Sequence, residues 1–506
     1  MLDKEKSLYD TDKKLFLGID KVFLSIKEHY GPNLSSLSLL ENQGYLLLSR
    51  TTLSDPYENI GVDFAKDMAN KIYKKHRDGI TTGVILLYSL LKASYPLLDQ
   101  GLSLYKLCCA LKKMGNKLLE ALGKHSWLLK DSTKARGIIF SAIPDYTIAT
   151  NMSEAFATVG PEGFISLSQV ESSHIHITQG LKIPYGYISP YFISQSTQRT
   201  LILSHPRILV TDKKITTLLG LLPLLQEVKE HNEHLLIFCN DIDEDVLSTF
   251  TVNKLEELLQ VVVVCINDHQ ENTLFEDISL FTGTNVFSQP YSPATQFPER
   301  ASLGSCDSIE ISEEQTILIR GNGVSEVLGL KIRQIEEEIR ISDCQNKKAE
   351  LVKRKHRLQS SVAIIPVKEE DKFFYSLALS TLTSALEKGY IPGGGTGLFY
   401  AALDLKSEEK LTEEEKAAVD ILQTSCRSPL EQLATNAKLK HQAVTDKLLS
   451  LSTSSLGMNA ASGQIEDMIA SGILDPLVKI EDIFSLALET ALNILSSKVI
   501  ISEQNK

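Results

Sequence analysis

The change of hydrophobic period along the chain constrains its fold more than any single motif does. Residues 10–30, 57–75 and 79–123 repeat apolar side chains at three- and four-residue steps, most clearly in "YKLCCALKKMGNKLLEAL". That spacing belongs to amphipathic helices. "TKARGIIFSAI" and "TNMSEAFATVG" continue it, with Asn151 or Ser153 as a candidate cap for the second. The period then shortens. "FISLSQV", "HIHITQGLKI", "GYISPYFIS", "TLILSHPRILVTD", "HLLIFCN" and "QVVVVCI" are short β-branched runs bounded by Gly, Pro, Asn and Asp, and they read as strands. Helices are expected between them at about 216–230 and 244–259. This α/β block, roughly 179–354, ends in a highly charged stretch at 325–358 whose sparse apolar repeat predicts two antiparallel, solvated helices. From 370 onward, "SLALSTLTSALEKGY" and "ILDPLVKIEDIFSLALETALNILSSK" return to the helical period.

A helical start, an α/β centre and a helical end predict one domain inserted into another, with the two ends sharing a core. Insertion is tolerated where the inserted domain's termini lie close together. A length of 506 residues corresponds to about three domains, and no repeat of about 20–50 residues points to a solenoid. The net charge of −12, from 64 acids against 52 bases, lacks the basic footprint of a general nucleic-acid binder. It offers no attraction to an anionic membrane either. The N-terminal "MLDKEKSLYDTDKK" lacks the apolar core of a signal peptide. "GVILLYSLL" and "LLGLLPLL" fall short of the ~18 apolar residues of a membrane span. The expectation is a cytoplasmic protein with neither nucleic acid nor membrane as partner. Its seven cysteines are odd in number and form no CxxC, so buried reduced thiols are expected rather than disulfides or a zinc site.

Five glycine- or aspartate-bearing stretches stand out: "YGP" (30–32), "DGITTG" (78–83), "PGGGTG" (392–397), "GMNAASG" (457–463) and "SGILDP" (471–476). Singly, each has an ordinary reading. Asp-Gly-Thr before a helix makes a turn and an N-cap, and consecutive glycines make a loop that needs positive φ. The functional reading is a phosphate cradle. Phosphates bind where backbone N–H groups and a helix N-terminus point at them, threonine hydroxyls add donors, and one aspartate can hold a magnesium ion bridging phosphate oxygens.

In order and spacing these stretches resemble the bacterial group I chaperonins (the GroEL family), nearly end to end. "YENIGVDFAKDMANKI" is similar to the segment before that family's Asp-Gly-Thr-Thr-Thr loop. "GPEGFISL" and "GLKIPYGYISPYFI" resemble the approach to its apical domain, and "LLIFCNDIDEDVLSTFTVNKL" resembles an apical client-binding helix. "GYIPGGG", "NAA" and "GILDP" resemble its C-terminal equatorial motifs. The resemblance implies an α+β multidomain chaperonin fold. Its helical equatorial domain would comprise 1–125 and 390–506, its small intermediate domain 126–178 and 355–389, and its inserted α/β apical domain 179–354. It further implies a homo-oligomeric or mixed ring, unfolded or partner proteins as clients, a lid co-chaperonin, and ATP with magnesium. The nucleotide-binding positions carried over are Gly31, Pro32, Asp78, Gly79, Thr81, Thr82, Gly394, Asn459, Ala460 and Asp475, with Asp78 on the metal. The client-binding positions are Tyr187, Tyr191, Phe192, Leu222, Leu225, Leu247 and Val252, a set that only Thr251 interrupts. An exposed apolar patch marks a partner site; the alternative is that these side chains pack the core.

The departures fall in the chemistry. The loop here is Asp78-Gly79-Ile80-Thr81-Thr82, one hydroxyl short, and His29-Tyr30 replace the family's Thr-Leu before Gly31-Pro32. "GYLLLSRTTLSDPYENIG" is shorter than the family's segment and has no Lys-Asp-Gly. Counting back from the triple glycine, the family's catalytic aspartate falls on Leu377, which can neither accept a proton nor orient a water. Tyr375, Leu379, Leu382 and Leu386 form a core stripe, and Leu377 lies about 160° around the helix from it. That is either an apolar residue in a polar seat or a second apolar face made with Phe373. Asp371 and Glu387, the nearest carboxylates, are more than a turn away. The C-terminus also lacks the family's Gly-Met tail. Three readings stay open: a diverged chaperonin that binds clients and ATP with weak or lost hydrolysis, an ATP-driven folding machine with another catalytic carboxylate, and a non-enzymatic scaffold.

Overall fold

A computed structural model describes the chain except for residues 1, 32–47, 162, 169–174, 194–199, 268–272, 289–298, 343, 406–410, 452 and 498–506; Pro32 lies outside the described residues. The chain forms two compact units, one made of Met1–Ala157 with Val367–Lys506 and the other of Thr158–Pro366.

The first unit opens with helices α1 (Leu2–Ile26), α2 (Pro56–His76), α3 (Ile80–Asp99), α4 (Leu104–Lys124), α5 (Ser132–Ala142) and α6 (Tyr146–Val159). Local signals set their ends. Asp55 caps α2, its carboxylate accepting the amides of Tyr57 at 2.9 Å and Glu58 at 3.4 Å, with Pro56 opening the helix. Asp145 caps α6 by accepting from Thr147 (2.7 Å) and Ile148 (3.0 Å). Asn151 and Ser153, expected as caps, therefore lie inside that helix. Asp145 stands about two turns earlier, just before the first helical residue, where an N-cap must lie. Helix α1 crosses α2 at close range: a Cβ on Gly61 would come within 2.2 Å of the Leu15 carbonyl oxygen.

In the second unit the strands are β1 (Phe164–Ser168), β2 (His176–Ile183), β3 (Leu201–Ser204), β4 (Arg207–Val210), β5 (Lys214–Ile215), β6 (Leu235–Cys239), β7 (Asp241–Ile242), β8 (Val261–Cys265), β9 (Gly304–Ile311), β10 (Thr316–Gly321) and β11 (Ser361–Pro366). Nine of them form one sheet in the order β1-β11-β2-β10-β9-β4-β6-β8, with β3 also on β9. Strands β4, β6 and β8 run parallel, and every residue of β6 and β8 is buried, as expected of parallel strands covered on both faces. The connecting helices are α7 (Leu222–Glu230) and α8 (Glu244–Leu255). Among the described residues of "GYISPYFIS" no strand forms; Pro190–Phe192 is a 3₁₀ turn, because proline fixes φ and donates no ladder hydrogen bond. Helix α9 (Thr273–Thr282) carries Asp277, fully buried and held by the guanidiniums of Arg354 (2.7 Å) and Arg357 (2.8 Å). Those arginines lie on α11 (Gln345–Gln359). It packs against α10 (Ser325–Ile341), and together they are the expected charged pair, joined by Lys355–Glu336 at 2.7 Å.

The chain then completes the first unit with α12 (Lys372–Lys388), β12 (Tyr390–Pro392), α13 (Thr396–Asp404), α14 (Glu413–Asn436), α15 (His441–Leu451), β13 (Leu456–Asn459), β14 (Gln464–Asp467), β15 (Leu474–Pro476) and α16 (Leu477–Ser496). Leu86, Leu118, Leu422 and Phe484, from both ends of the chain, are buried in one cluster. Contrary to expectation, α3 is long and apolar enough to cross a membrane by length and composition alone; its Val84, Leu86, Leu87 and Leu91 are buried in that cluster.

Candidate functional site

The "DGITTG" stretch places a glycine, not a capping side chain, at the head of an apolar helix. Gly79 is the N-cap of α3 with φ 89°, and no side chain caps the helix. The first amides of α3, those of Ile80, Thr81 and Thr82, thus have no intrahelical partner, and they stand at the positive end of the helix dipole. Helix α13 begins the same way, with Gly395 at its N-cap and no side-chain cap. The short β12–β15 pair aligns Ile391 with Asp475, whose carboxylate accepts the Gly394 amide. Thr82 donates its hydroxyl proton to the Tyr30 phenol oxygen at 3.3 Å. The Tyr30 backbone carbonyl is anchored by the Asn436 amide at 2.6 Å, just before Gly31. Burial, and the charges of Asp475 and Asp78, push the Tyr30 phenol up, so it stays protonated. Segments 30–31, 78–82, 394–395 and 475–479 thereby meet.

A residue that the sequence reading passed over stands at the centre. Lys479, in the first turn of α16, is only 7% exposed, and its ammonium is hydrogen-bonded to Asp78 Oδ2. Burial pulls the ammonium down, but Asp78 and Asp475 outweigh it and hold the lysine above its ordinary value. Burial pushes Asp78 up, and Lys479 more than reverses this. Asp475 is raised, by burial first and by the neighbouring Asp78 charge. The pairing is held from both sides. His76 Nε2 and Lys75 Nζ each lie 2.7 Å from Asp482 on α16, tying the end of α2 to the same helix. A Cβ on Gly79 would fall 2.3 Å from Ile483 Cδ1 and at ordinary contact, 3.4 Å, from Lys479 Cε, so glycine keeps the head of α3 close against α16. The signal was present in the sequence: a lone lysine within the apolar start of a helix, where a positive charge opposes the dipole.

The other carried-over positions fare unevenly. Asn459 ends β13, and its side chain serves its own hairpin, accepting from Ala461 (2.9 Å) and donating to Glu466 (2.6 Å); Ala460 is half-buried in the same turn. A group that could hold a metal from three or more His, Cys, Asp or Glu side chains is absent among the described residues. The Asp78 carboxylate is already neutralised by a fixed ammonium, so the donors present do not fit a protein-held magnesium ion. Leu377 is buried at 6% exposure. Its helix is covered on more than the expected stripe: Phe374, Ala378, Thr381 and Ala385 are buried with Tyr375 and Leu382, whereas Leu379 and Leu386 are half-buried. Small Ala378 and Ala385 let neighbours approach on a face that a count of large side chains overlooks.

The candidate client residues divide. Tyr191 (63% exposed), Leu222 (45%) and Val252 (51%) face solvent. Tyr187 and Leu247 are partly buried against the core, and Thr251 donates to the Leu247 carbonyl at 2.9 Å. Phe192 and Leu225 are buried core residues, at 0% and 5%. They are corrected here from surface to interior, because the 3₁₀ turn and the phase of α7 aim them at the sheet. Leu219, Leu255 and Leu258 are exposed as well and were missed, since exposure is not encoded in an apolar letter.

Residues 220–505 match the TCP-1/cpn60 chaperonin family. The chain is 30% identical over 476 residues to "Chaperonin GroEL 3" of Protochlamydia amoebophila (strain UWE25), covering 92% of this chain and 89% of that protein. Two crystal structures of the chaperonin gp146 from the bacteriophage EL 2 (Pseudomonas aeruginosa), in presence of ATP-BeFx, share the fold. Crystal form II gives a TM-score of 0.71 at 17% identity and form I gives 0.62 at 18%, each match covering 98% of both chains. The family match spans more than half the chain and agrees with a relative aligned almost end to end, so the chain belongs to the TCP-1/cpn60 chaperonin family.

Proposed function

We propose that this chain is a molecular chaperone that captures unfolded or partner proteins through an apolar face of its central unit. It binds ATP in the cradle formed by the heads of α3 and α13, and it hydrolyses that ATP very slowly or not at all. The observation that carries the capture half is the exposure of Tyr191, Leu222 and Val252, and of Leu219 and Leu255 in the same unit, since large apolar side chains in water mark a partner surface. The nucleotide half rests on the two uncapped helix starts, with Gly31, Asp78, Gly79, Thr81, Thr82, Gly394 and Asp475 as its residues. Loss of turnover rests on Leu377, because removal of a general base lowers a rate by about 10²–10⁴-fold. In this reading 1–125 and 390–506 are equatorial, 126–178 and 355–389 intermediate, and 179–354 apical. The chain works in the cytoplasm as a homo-oligomeric or mixed ring, with a co-chaperonin as a further partner.

The test is steady-state phosphate release from purified protein with ATP and magnesium, beside Asp78→Ala, together with capture of a chemically unfolded client. Release no higher than in the variant, with capture intact, is expected. Turnover abolished by Asp78→Ala would refute the loss of hydrolysis. A scaffold that binds no nucleotide is the second reading, favoured by the engagement of Asp78 by Lys479; nucleotide-independent capture without measurable ATP binding would select it.

A further inference from the structure

We propose that the Lys479 ammonium occupies the seat of a divalent cation in this cradle, so that the site takes the phosphates of ATP without metal. The proposal rests on the nucleotide reading above and departs from it only in what neutralises the phosphates. A lysine in the first turn of a helix works against the dipole, and burying it to 7% exposure strips its water. Both penalties are met by the pairing with Asp78 and by the charge of Asp475 nearby. A divalent ion reaching the partly exposed Asp78 carboxylate must therefore displace a buried ammonium or sit against its like charge. A lysine is itself a point-charge binder of phosphate. Its ammonium has three donors, and Asp78 takes one. The others stand beside the uncapped head of α3, where phosphate oxygens would be held. Lys479 Cε lies 3.4 Å from where a Gly79 Cβ would stand, so the end of the lysine is next to the N-cap of α3.

The experiment is calorimetric titration of ATP into the full-length protein in excess magnesium and in excess EDTA. Wild-type affinity is expected to agree between the two buffers within about threefold. Lys479→Met is expected to bind at least about tenfold more weakly in EDTA, the worth of one charge-assisted hydrogen bond, and to recover in magnesium. Lys479→Arg keeps the metal-free binding. Manganese titrated without nucleotide, followed by electron paramagnetic resonance, should find no site in the wild type and a new one in Lys479→Met. Wild-type binding that weakens about tenfold or more in EDTA overturns the lysine's role and leaves the nucleotide reading standing. Absence of binding in both buffers overturns both. The wild-type comparison decides the matter even if Lys479→Met does not fold.

Discussion

Replacing Tyr191, Leu222 and Val252 together by serine should separate client capture from folding. These side chains are 63%, 45% and 51% exposed, so about half of each is available to a bound polypeptide. Fully burying such a side chain is worth about 1.5–3 kcal/mol, which makes half a side chain worth about 1 kcal/mol. The three together would contribute about 3 kcal/mol, or about 10² in affinity. The other half of each side chain is packed in the free protein, so each serine should also lower stability by up to about 1 kcal/mol, and capture is compared only among variants that urea unfolding shows to be folded. Phe192→Ser and Leu225→Ser are the opposite control. Both residues are core, and truncating them should destabilise the fold by about 2–5 kcal/mol. The assay is fluorescence anisotropy of a labelled, chemically unfolded client titrated with each folded variant. A triple variant that is folded and captures the client as tightly as the wild type would refute the argument that this face does the capturing.

Three further outcomes follow from the packing. Asp277→Ala leaves the guanidiniums of Arg354 and Arg357 facing an empty, buried site and should destabilise the protein by about 3–5 kcal/mol, read from urea unfolding. Gly61→Ala drives a Cβ into the Leu15 carbonyl across the α1–α2 crossing. It should destabilise by about 1–3 kcal/mol in thermal unfolding, although alanine is the better helix former. His234 is held below the ordinary histidine value by burial and then by Lys254. The unfolded chain binds its proton near pH 6.5 while the fold resists, so stability falls as pH drops through about 6.5 towards the depressed folded value. His234→Gln should flatten that slope in urea unfolding measured between about pH 7 and pH 5.

Much of the fold is legible in local pattern. The three- and four-residue repeats mark the helices of the first unit, and "HLLIFCN" and "QVVVVCI" become the fully buried parallel strands β6 and β8. Pattern fails where a short-range signal is overruled nearby. Pro190 turns an apparent strand into a 3₁₀ turn, and Asp145 takes the cap expected of Asn151 or Ser153. The candidate site was half legible. Its glycines and aspartates were visible by spacing, because a helix head that cradles an anion needs those residue types in that order. Its central cation was visible only as a lysine out of place in an apolar helix start, and nothing in "DPLVKIED" says which carboxylate it will meet.

By itself the sequence determined the periods, the breakers and the order of the motifs, all of which are properties of residue types and near neighbours. Tertiary structure alone decided that Phe192 and Leu225 point inward while Tyr191 and Leu222 do not. It also decided that Lys479 closes on Asp78 across 401 residues of chain. Exposure and long-range ion pairing depend on which surfaces the folded chain brings together, and no local pattern carries that information.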